Sequence, residues 1–138
     1  MGFILDTNII SELRKGARCS RTVWNWYDAT PMEEIFMSVL VLGEMRRGVE
    51  MKRSKDPATA RAFEKWLREV ELVYEQRILP ITAEICDIWG RLSIRARLPA
   101  VDGLLAATAL HHQLTLVTRN TRDVASTGVM IVDPWQAG

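Results

Sequence analysis

The stretch Phe3-Ile4-Leu5-Asp6-Thr7-Asn8-Ile9-Ile10 decides how the chain is read. Three consecutive apolar residues form a short buried strand, and Asp-Thr-Asn is a turn where a strand stops and a helix starts. A carboxylate therefore stands at the carboxyl end of a strand. Ligands of open α/β sheets bind beyond that edge, which makes Asp6 a candidate for chemistry. Asp, Thr and Asn are also good helix caps, so within this segment capping and chemistry stand as equal alternatives.

Outward from this strand the pattern alternates. A short helix is expected over 9–15, stopped at Gly16, then a helix capped by Ser20 or Thr22 and carrying Val23, Trp24, Trp26 and Tyr27. A second buried strand over 35–39 runs into a helix with Leu40, Leu42, Met45 and Val49, in which Glu44 lies. Pro57 starts a helix whose Phe63, Trp66, Leu67, Val70, Val73 and Tyr74 define one apolar face. A brief strand over 77–81 is confined to a sheet edge by Pro80. Thr82 caps a helix with Ile85, Ile88, Trp89 and Leu92 on one side. Residues 100–112 are apolar nearly all round and form a buried helix. Strands over 114–117 and 129–132 flank a polar turn over 120–125. The expected architecture is α/β: a mostly parallel twisted sheet of four to five strands, flanked by helices on both faces, in a single domain over 1–138.

Composition narrows the function classes. The 138 residues are 48% hydrophobic, and 18 Lys and Arg oppose 17 Asp and Glu for a net charge of +1. No global field announces a nucleic-acid or membrane partner, so any polyanion site must be local. Cys19 and Cys86 show no metal or redox spacing. No apolar run is long enough to span a bilayer and no signal-peptide pattern opens the chain, so a cytoplasmic location is expected.

Acidic residues among apolar neighbours carry the chemistry, because Asp and Glu are rarely buried without a partner. Asp6 ends the first strand, Glu44 lies in the helix after the second, Asp102 opens the buried helix, and Asp123 follows the strand over 114–117. Singly, each is explained by capping or exposure. Jointly, a parallel sheet brings all four to one carboxyl edge. Crowded carboxylates repel unless a cation neutralises them, and an all-oxygen cluster suits Mg²⁺ or Mn²⁺. The implied reaction is phosphodiester hydrolysis by a metal-activated water.

Ordered motifs along the chain match a known family. Ile4-Leu5-Asp6-Thr7-Asn8, Ser38-Val39 leading to Gly43-Glu44, Asp102-Gly103 with Ala106-Ala107-Thr108-Ala109, Leu116-Val117-Thr118-Arg119-Asn120 and the terminal Asp133-Pro134-Trp135 appear in that family's order. The chain resembles the PIN-domain ribonucleases, in particular the toxins of VapBC-type toxin–antitoxin pairs, FitB-like proteins among them. The resemblance implies that Asp6, Glu44 and Asp102 form an acidic core for Mg²⁺ or Mn²⁺, with Asp6 and Asp102 as metal ligands. It implies Asp123 as the fourth acid, Asn120 standing where some relatives carry Asp. Asn8, Ser38, Thr118 and Asn120 become candidates for orienting the carboxylates or the metal's waters. It further implies an RNA substrate and a small antitoxin whose tail wraps a helical groove and blocks the acidic site. A homodimer within the toxin–antitoxin complex is expected too, with operator DNA bound indirectly through the antitoxin's DNA-binding domain.

Other residues receive plainer readings. His111 and His112 end the helix that Asp102 opens, about 13–15 Å away at 1.5 Å per residue, and are read as surface or C-terminal residues. Arg46, Arg119 and Arg122 are candidates for RNA phosphates, as are Arg14, Lys15 and Arg47, against the alternative of a solvated face. Trp66 and Trp89 belong to apolar faces, and base stacking is left open for Trp24 and Trp26. Two rival functions share part of the pattern. A phosphatase forming an aspartyl-phosphate on Asp6 wants a second Asp where Asn8 stands, and a non-catalytic subunit of an antitoxin–DNA repressor complex is compatible with Asn120.

Overall fold

A computed structural model describes residues 2–136; Met1, Ala137 and Gly138 of the expected 1–138 domain lie outside the described residues. The apolar triplet forms β1 (Phe3–Leu5), and four further strands, β2 (Ile35–Ser38), β3 (Ile78–Leu79), β4 (Thr115–Val117) and β5 (Ile131–Val132), complete one sheet. Strand order is β3-β2-β1-β4-β5, and every neighbouring pair is parallel. In register, Ile4 lies opposite Phe36 on one side and Leu116 on the other. The sheet is thus wholly parallel, with β3 on the edge that Pro80 requires.

Among the described residues seven α-helices connect the strands: α1 (Thr7–Arg14), α2 (Arg21–Ala29), α3 (Val39–Arg53), α4 (Pro57–Val73), α5 (Ala83–Arg95), α6 (Ala100–His112) and α7 (Thr121–Val124). The chain builds β1, β2 and β3 outward in one direction, then returns across the sheet to lay down β4 and β5 on the other side of β1. Right-handed crossovers in that order put α1 to α4 against one face and α5 to α7 against the other. The reversal occurs between β1 and β4. That is the topological switch point, where the loops leaving the two strands diverge and open a crevice.

The core is built from the strands and the faces of the helices that meet them. Ile4, Leu5, Ile35, Met37, Leu116 and Val117 are almost completely shielded, as are Ile9, Val41, Val49 and Leu67 from the helices. Helix α6 is the buried helix expected from its composition, with Leu105, Ala106, Ala107, Thr108 and Ala109 inaccessible to solvent. The Thr108 hydroxyl donates to the Leu104 carbonyl at 2.7 Å, so the single polar group inside this run is satisfied.

The strands expected over 35–39, 77–81 and 114–117 are each shorter, as Ile35–Ser38, Ile78–Leu79 and Thr115–Val117, and two further boundaries differ for identifiable local reasons. Helix α1 starts at Thr7, two residues early, because Asp6 itself supplies the cap. The last strand shortens to Ile131–Val132 because Gly128, at φ +81°, turns the chain before it can pair. On α4, Phe63 and Leu67 are buried as the periodicity requires, as is Tyr74 just beyond its end, whereas Val73 is 54% exposed. It lines, with Leu13, Trp24, Tyr27, Trp66 and Val70, an apolar groove of about 260 Å³ between α1, α2 and α4.

Gly103 places α6 at close range to α5: a Cβ there would stand 2.9 Å from Trp89 Cδ1 and 3.0 Å from its Nε1. Gly103→Ala gains helix propensity but forces the half-buried indole aside, and overpacking dominates. A net loss of about 1–2 kcal/mol is expected in urea unfolding.

Candidate active site

Asp6 leaves β1 with extended backbone and becomes the N-cap of α1. Its Oδ1 accepts the Thr7 backbone N–H at 2.7 Å, and its Oδ2 accepts the Thr118 hydroxyl at 2.7 Å and the Asn8 side-chain amide at 3.4 Å. Capping and chemistry are compatible at this residue, since the same carboxylate caps the helix and lines the crevice. Asn8 does not serve the cap. It reaches across the switch point, donating to Thr118 Oγ1 at 3.3 Å and accepting the Arg119 backbone N–H at 3.3 Å. Thr118 Oγ1 also accepts the Asn120 backbone N–H at 2.9 Å, so one buried hydroxyl ties the end of β4 to the end of β1.

Glu44 arrives from α3 and is held by the Thr7 hydroxyl, which donates to its Oε1. Asp102 stands in the first turn of α6, where the helix dipole favours a carboxylate. Asp6, Glu44 and Asp102 line one cleft of about 560 Å³, together with Thr7, Asn8, Glu12, Arg119, Asn120 and Trp135.

The electrostatics of the cleft are those of crowded acids. Burial pushes the Asp6 carboxyl above the usual carboxylate value, an effect opposed by the Thr118 and Thr7 hydrogen bonds and reinforced by the charge of Glu44. Burial likewise raises Asp102, and the charges of Asp6, Glu44 and Asp123 raise it further. The acids surround the cleft instead of meeting at a point. Among the described residues, no group of three or more His, Cys, Asp or Glu stands close enough to form a ligand shell. The available donors are carboxylate, hydroxyl and amide oxygens, a set that matches a hard divalent cation.

Several sequence expectations take a different place. Asp123 is exposed on α7 and is felt by Asp102 from outside the cleft wall, whereas Asn120 is part of that wall. Ser38, expected to orient carboxylates or waters, is fully buried, and its hydroxyl caps α3 by accepting the Leu40 N–H at 3.0 Å. Arg46, expected to meet RNA, is engaged by Glu64 at 2.6 Å and Glu50 at 3.3 Å, because the α3–α4 hairpin brings those acids to it. Arg14 lies over the Phe63 ring at 3.9 Å, and Lys15, although it lines the cleft, pairs with Glu12 at 2.9 Å. Arg122 is exposed beside Asp123, away from the cleft lining, and of the six basic residues considered for RNA, Arg119 and Lys15 line the cleft among the described residues. Trp26 packs edge-on against Phe3 at 5.3 Å, and Trp24 belongs to the apolar groove. His111 and His112 occupy the last turn of α6, the opposite end from Asp102.

Three further cleft residues escape sequence reasoning. Thr7 reads only as a cap candidate, and its contact with Glu44, 37 residues away, has no local signature. Trp135 enters the wall because β5 ends beside β4. Glu12 is a buried acid that serves the scaffold. It accepts the Ser20 N–H at 2.7 Å and the Lys15 ammonium at 2.9 Å, which hold its carboxyl below the usual range and pin α1 to the start of α2.

Comparison with known proteins places this geometry. A family model described as PIN domain matches residues 3–128. The chain is 29% identical over 137 residues to Toxin FitB of Neisseria gonorrhoeae, covering 96% of this chain and 97% of the relative. It is 32% identical over 139 residues to VapC ribonuclease Y4jK of Sinorhizobium fredii, again covering 96% and 97%. Its fold superposes on a chain in the structure of FitAB bound to an IR36 DNA fragment with a TM-score of 0.87 and 28% identity, covering 97% of this chain and 96% of that one.

Proposed function

This chain belongs to the PIN domain family, and on that premise we propose that it is a metal-dependent endoribonuclease, the toxin of a type II toxin–antitoxin pair, cutting RNA in the cleft of Asp6, Glu44 and Asp102. The observation that carries the reading is that three carboxylates from three separate elements face one cleft at the switch point of a parallel sheet. The kinship with a VapC ribonuclease supports RNA as the substrate.

We assign Asp6 and Asp102, with Glu44, to hold Mg²⁺ or Mn²⁺, and Asp123 to lend charge from outside. Such a cation, when bound, supplies Lewis-acid activation of water and neutralises charge on the scissile phosphate. The chain's own residues prepare the place. Thr118, Asn8 and the Thr7 N–H keep the Asp6 carboxylate in one orientation, the Thr7 hydroxyl does the same for Glu44, and Asp102 is fixed by a buried helix. Asn120 brings an uncharged amide to the wall. Arg119 is the cation at the cleft that remains for the RNA backbone.

The two rivals fare differently. An aspartyl-phosphate on Asp6 is disfavoured because both of its carboxylate oxygens are occupied by donors and one caps a helix. A non-catalytic subunit of a repressor complex has one observation on its side, the spread of the acids, no three of which form a ligand shell among the described residues, and it is outweighed by their facing one cleft.

The partner assignment follows the FitAB structure bound to an IR36 DNA fragment. The apolar groove walled by Trp24, Tyr27, Trp66 and Val73 is assigned to the tail of an antitoxin bearing a DNA-binding domain. Operator DNA is then reached through the antitoxin, and the toxin pairs as a homodimer within the complex. No helix among the described residues is long and apolar enough to cross a membrane. A cytoplasmic site of action accompanies an RNA substrate. Purified, antitoxin-free protein is expected to cut single-stranded RNA with Mg²⁺ or Mn²⁺ and not in EDTA; intact RNA under both conditions would reject the ribonuclease reading.

A further inference from the structure

We propose that Arg119 and Trp135 form a nucleobase-stacking platform at the mouth of the acidic cleft, an inference that rests on RNA being the substrate there. Both residues line the cleft with Asp6, Asp102 and Asn120. They come from neighbouring strand ends. Val117 of β4 is in register with Val132 of β5, and the Thr118 N–H donates to the Val132 carbonyl at 3.0 Å, which sets the two chain exits side by side. The guanidinium carbon of Arg119 lies 4.7 Å from the centroid of the Trp135 ring.

The pair is anchored through its backbone. Asn8 Oδ1 accepts the Arg119 N–H at 3.3 Å, and Asp133 Oδ1 accepts the Trp135 N–H at 2.9 Å. The same Asn8 touches Asp6, so the platform and the acids share one support. Arg46, Arg53 and Lys15 are engaged by carboxylates within ion-pair distance, whereas Arg119 forms no ion pair among the described residues. Its side chain is exposed and lies against a half-buried indole.

A guanidinium laid on an indole presents a flat, delocalised, cationic surface whose N–H edges stay available. A nucleobase stacks on such a surface whatever its identity, because every base has a π-face, while the cationic edges meet the adjoining phosphate. The other cation of the cleft wall, Lys15, is held by Glu12, and the remaining charged groups are acids that repel a polyanion, so Arg119 is where a strand can be drawn in. The ligand is an unpaired nucleotide flanking the scissile phosphate of single-stranded RNA.

The test is binding, measured by anisotropy in EDTA, of a labelled oligoribonucleotide that the protein cuts, alongside a series carrying one abasic site at successive positions around the cut. In the parent, one position is expected at which loss of the base weakens binding about tenfold. Trp135→Leu removes that sensitivity and weakens binding of the intact strand by the same factor, while Trp135→Phe preserves both. Arg119→Lys keeps the charge and loses the discrimination; it is an exposed residue and carries the test if Trp135→Leu fails to fold. Unchanged abasic discrimination in Trp135→Leu or Arg119→Lys, or a parent that cuts RNA with every position equal, overturns the platform alone. A parent that neither binds nor cuts single-stranded RNA with Mg²⁺ or Mn²⁺ overturns the reading of the cleft and the platform with it.

Discussion

Asp102→Asn is expected to lower the rate of RNA cleavage by about 10²–10³-fold while raising the melting temperature in metal-free buffer. The substitution keeps shape and removes charge. Asp102 loses a share of the cation's coordination, so activity falls. In the absence of the cation the same change relieves burial of a charge and repulsion from Asp6, Glu44 and Asp123. The pH dependence has a definite sign. A carboxyl raised in the folded state contributes its full stability below the ordinary Asp value of 3.8 and loses it as pH rises through the folded-state value. The stability advantage of Asp102→Asn is therefore largest at neutral pH and vanishes in acid. Circular-dichroism melts in EDTA across pH, beside cleavage assays, check both halves; a variant that is less stable at neutral pH would show Asp102 to be chiefly a favourable helix-start charge.

Thr118→Val is the second large effect, this time on the scaffold of the site. The hydroxyl donates to Asp6 Oδ2 and accepts from the Asn120 N–H and the Asn8 amide. Valine fills the same volume with no polar atom, leaving a buried carboxylate oxygen without its strongest donor and a backbone N–H without an acceptor. Buried groups stranded in this way cost about 1–3 kcal/mol each, so a loss of roughly 2–4 kcal/mol is expected. The Asp6 carboxyl also rises further, because the Thr118 bond is the foremost influence holding it down. Thr118→Ser restores the hydroxyl and recovers most of the stability in urea titrations and most of the cleavage rate. Equal losses in Thr118→Ser and Thr118→Val would assign the effect to packing instead of the hydroxyl.

What the sequence made visible was whatever repeats locally. Phe3-Ile4-Leu5 before Asp6, and the apolar run of residues 104–110 after Asp102, announce a buried strand and a buried helix through composition alone, and the wholly parallel sheet follows from their alternation. Placing acids at strand ends and helix starts then brings Asp6, Glu44 and Asp102 toward one edge, and they do line one cleft. Contacts made only in three dimensions stayed hidden. Ser38 before a helix reads equally as cap or site residue, and only its burial and its bond to the Leu40 N–H separate the two. Arg46 shows no sign of Glu64 until α3 and α4 form a hairpin, and Trp135 gives no hint of Arg119 until β5 lies beside β4. Asp123 and Asn120 are three residues apart at the end of β4, so which of them faces the cleft depends on the turn of α7, a geometry that composition does not encode.

The central claim is that Asp6, Glu44 and Asp102 act as one cation site. Calorimetric titration of Mn²⁺ into the purified protein, into Asp102→Asn and into Glu44→Gln tests it most directly. The expected result is saturable binding by the parent that is lost or strongly weakened in each variant, with both variants still folded. Binding that is undiminished in both, or absent from the folded parent, would contradict it.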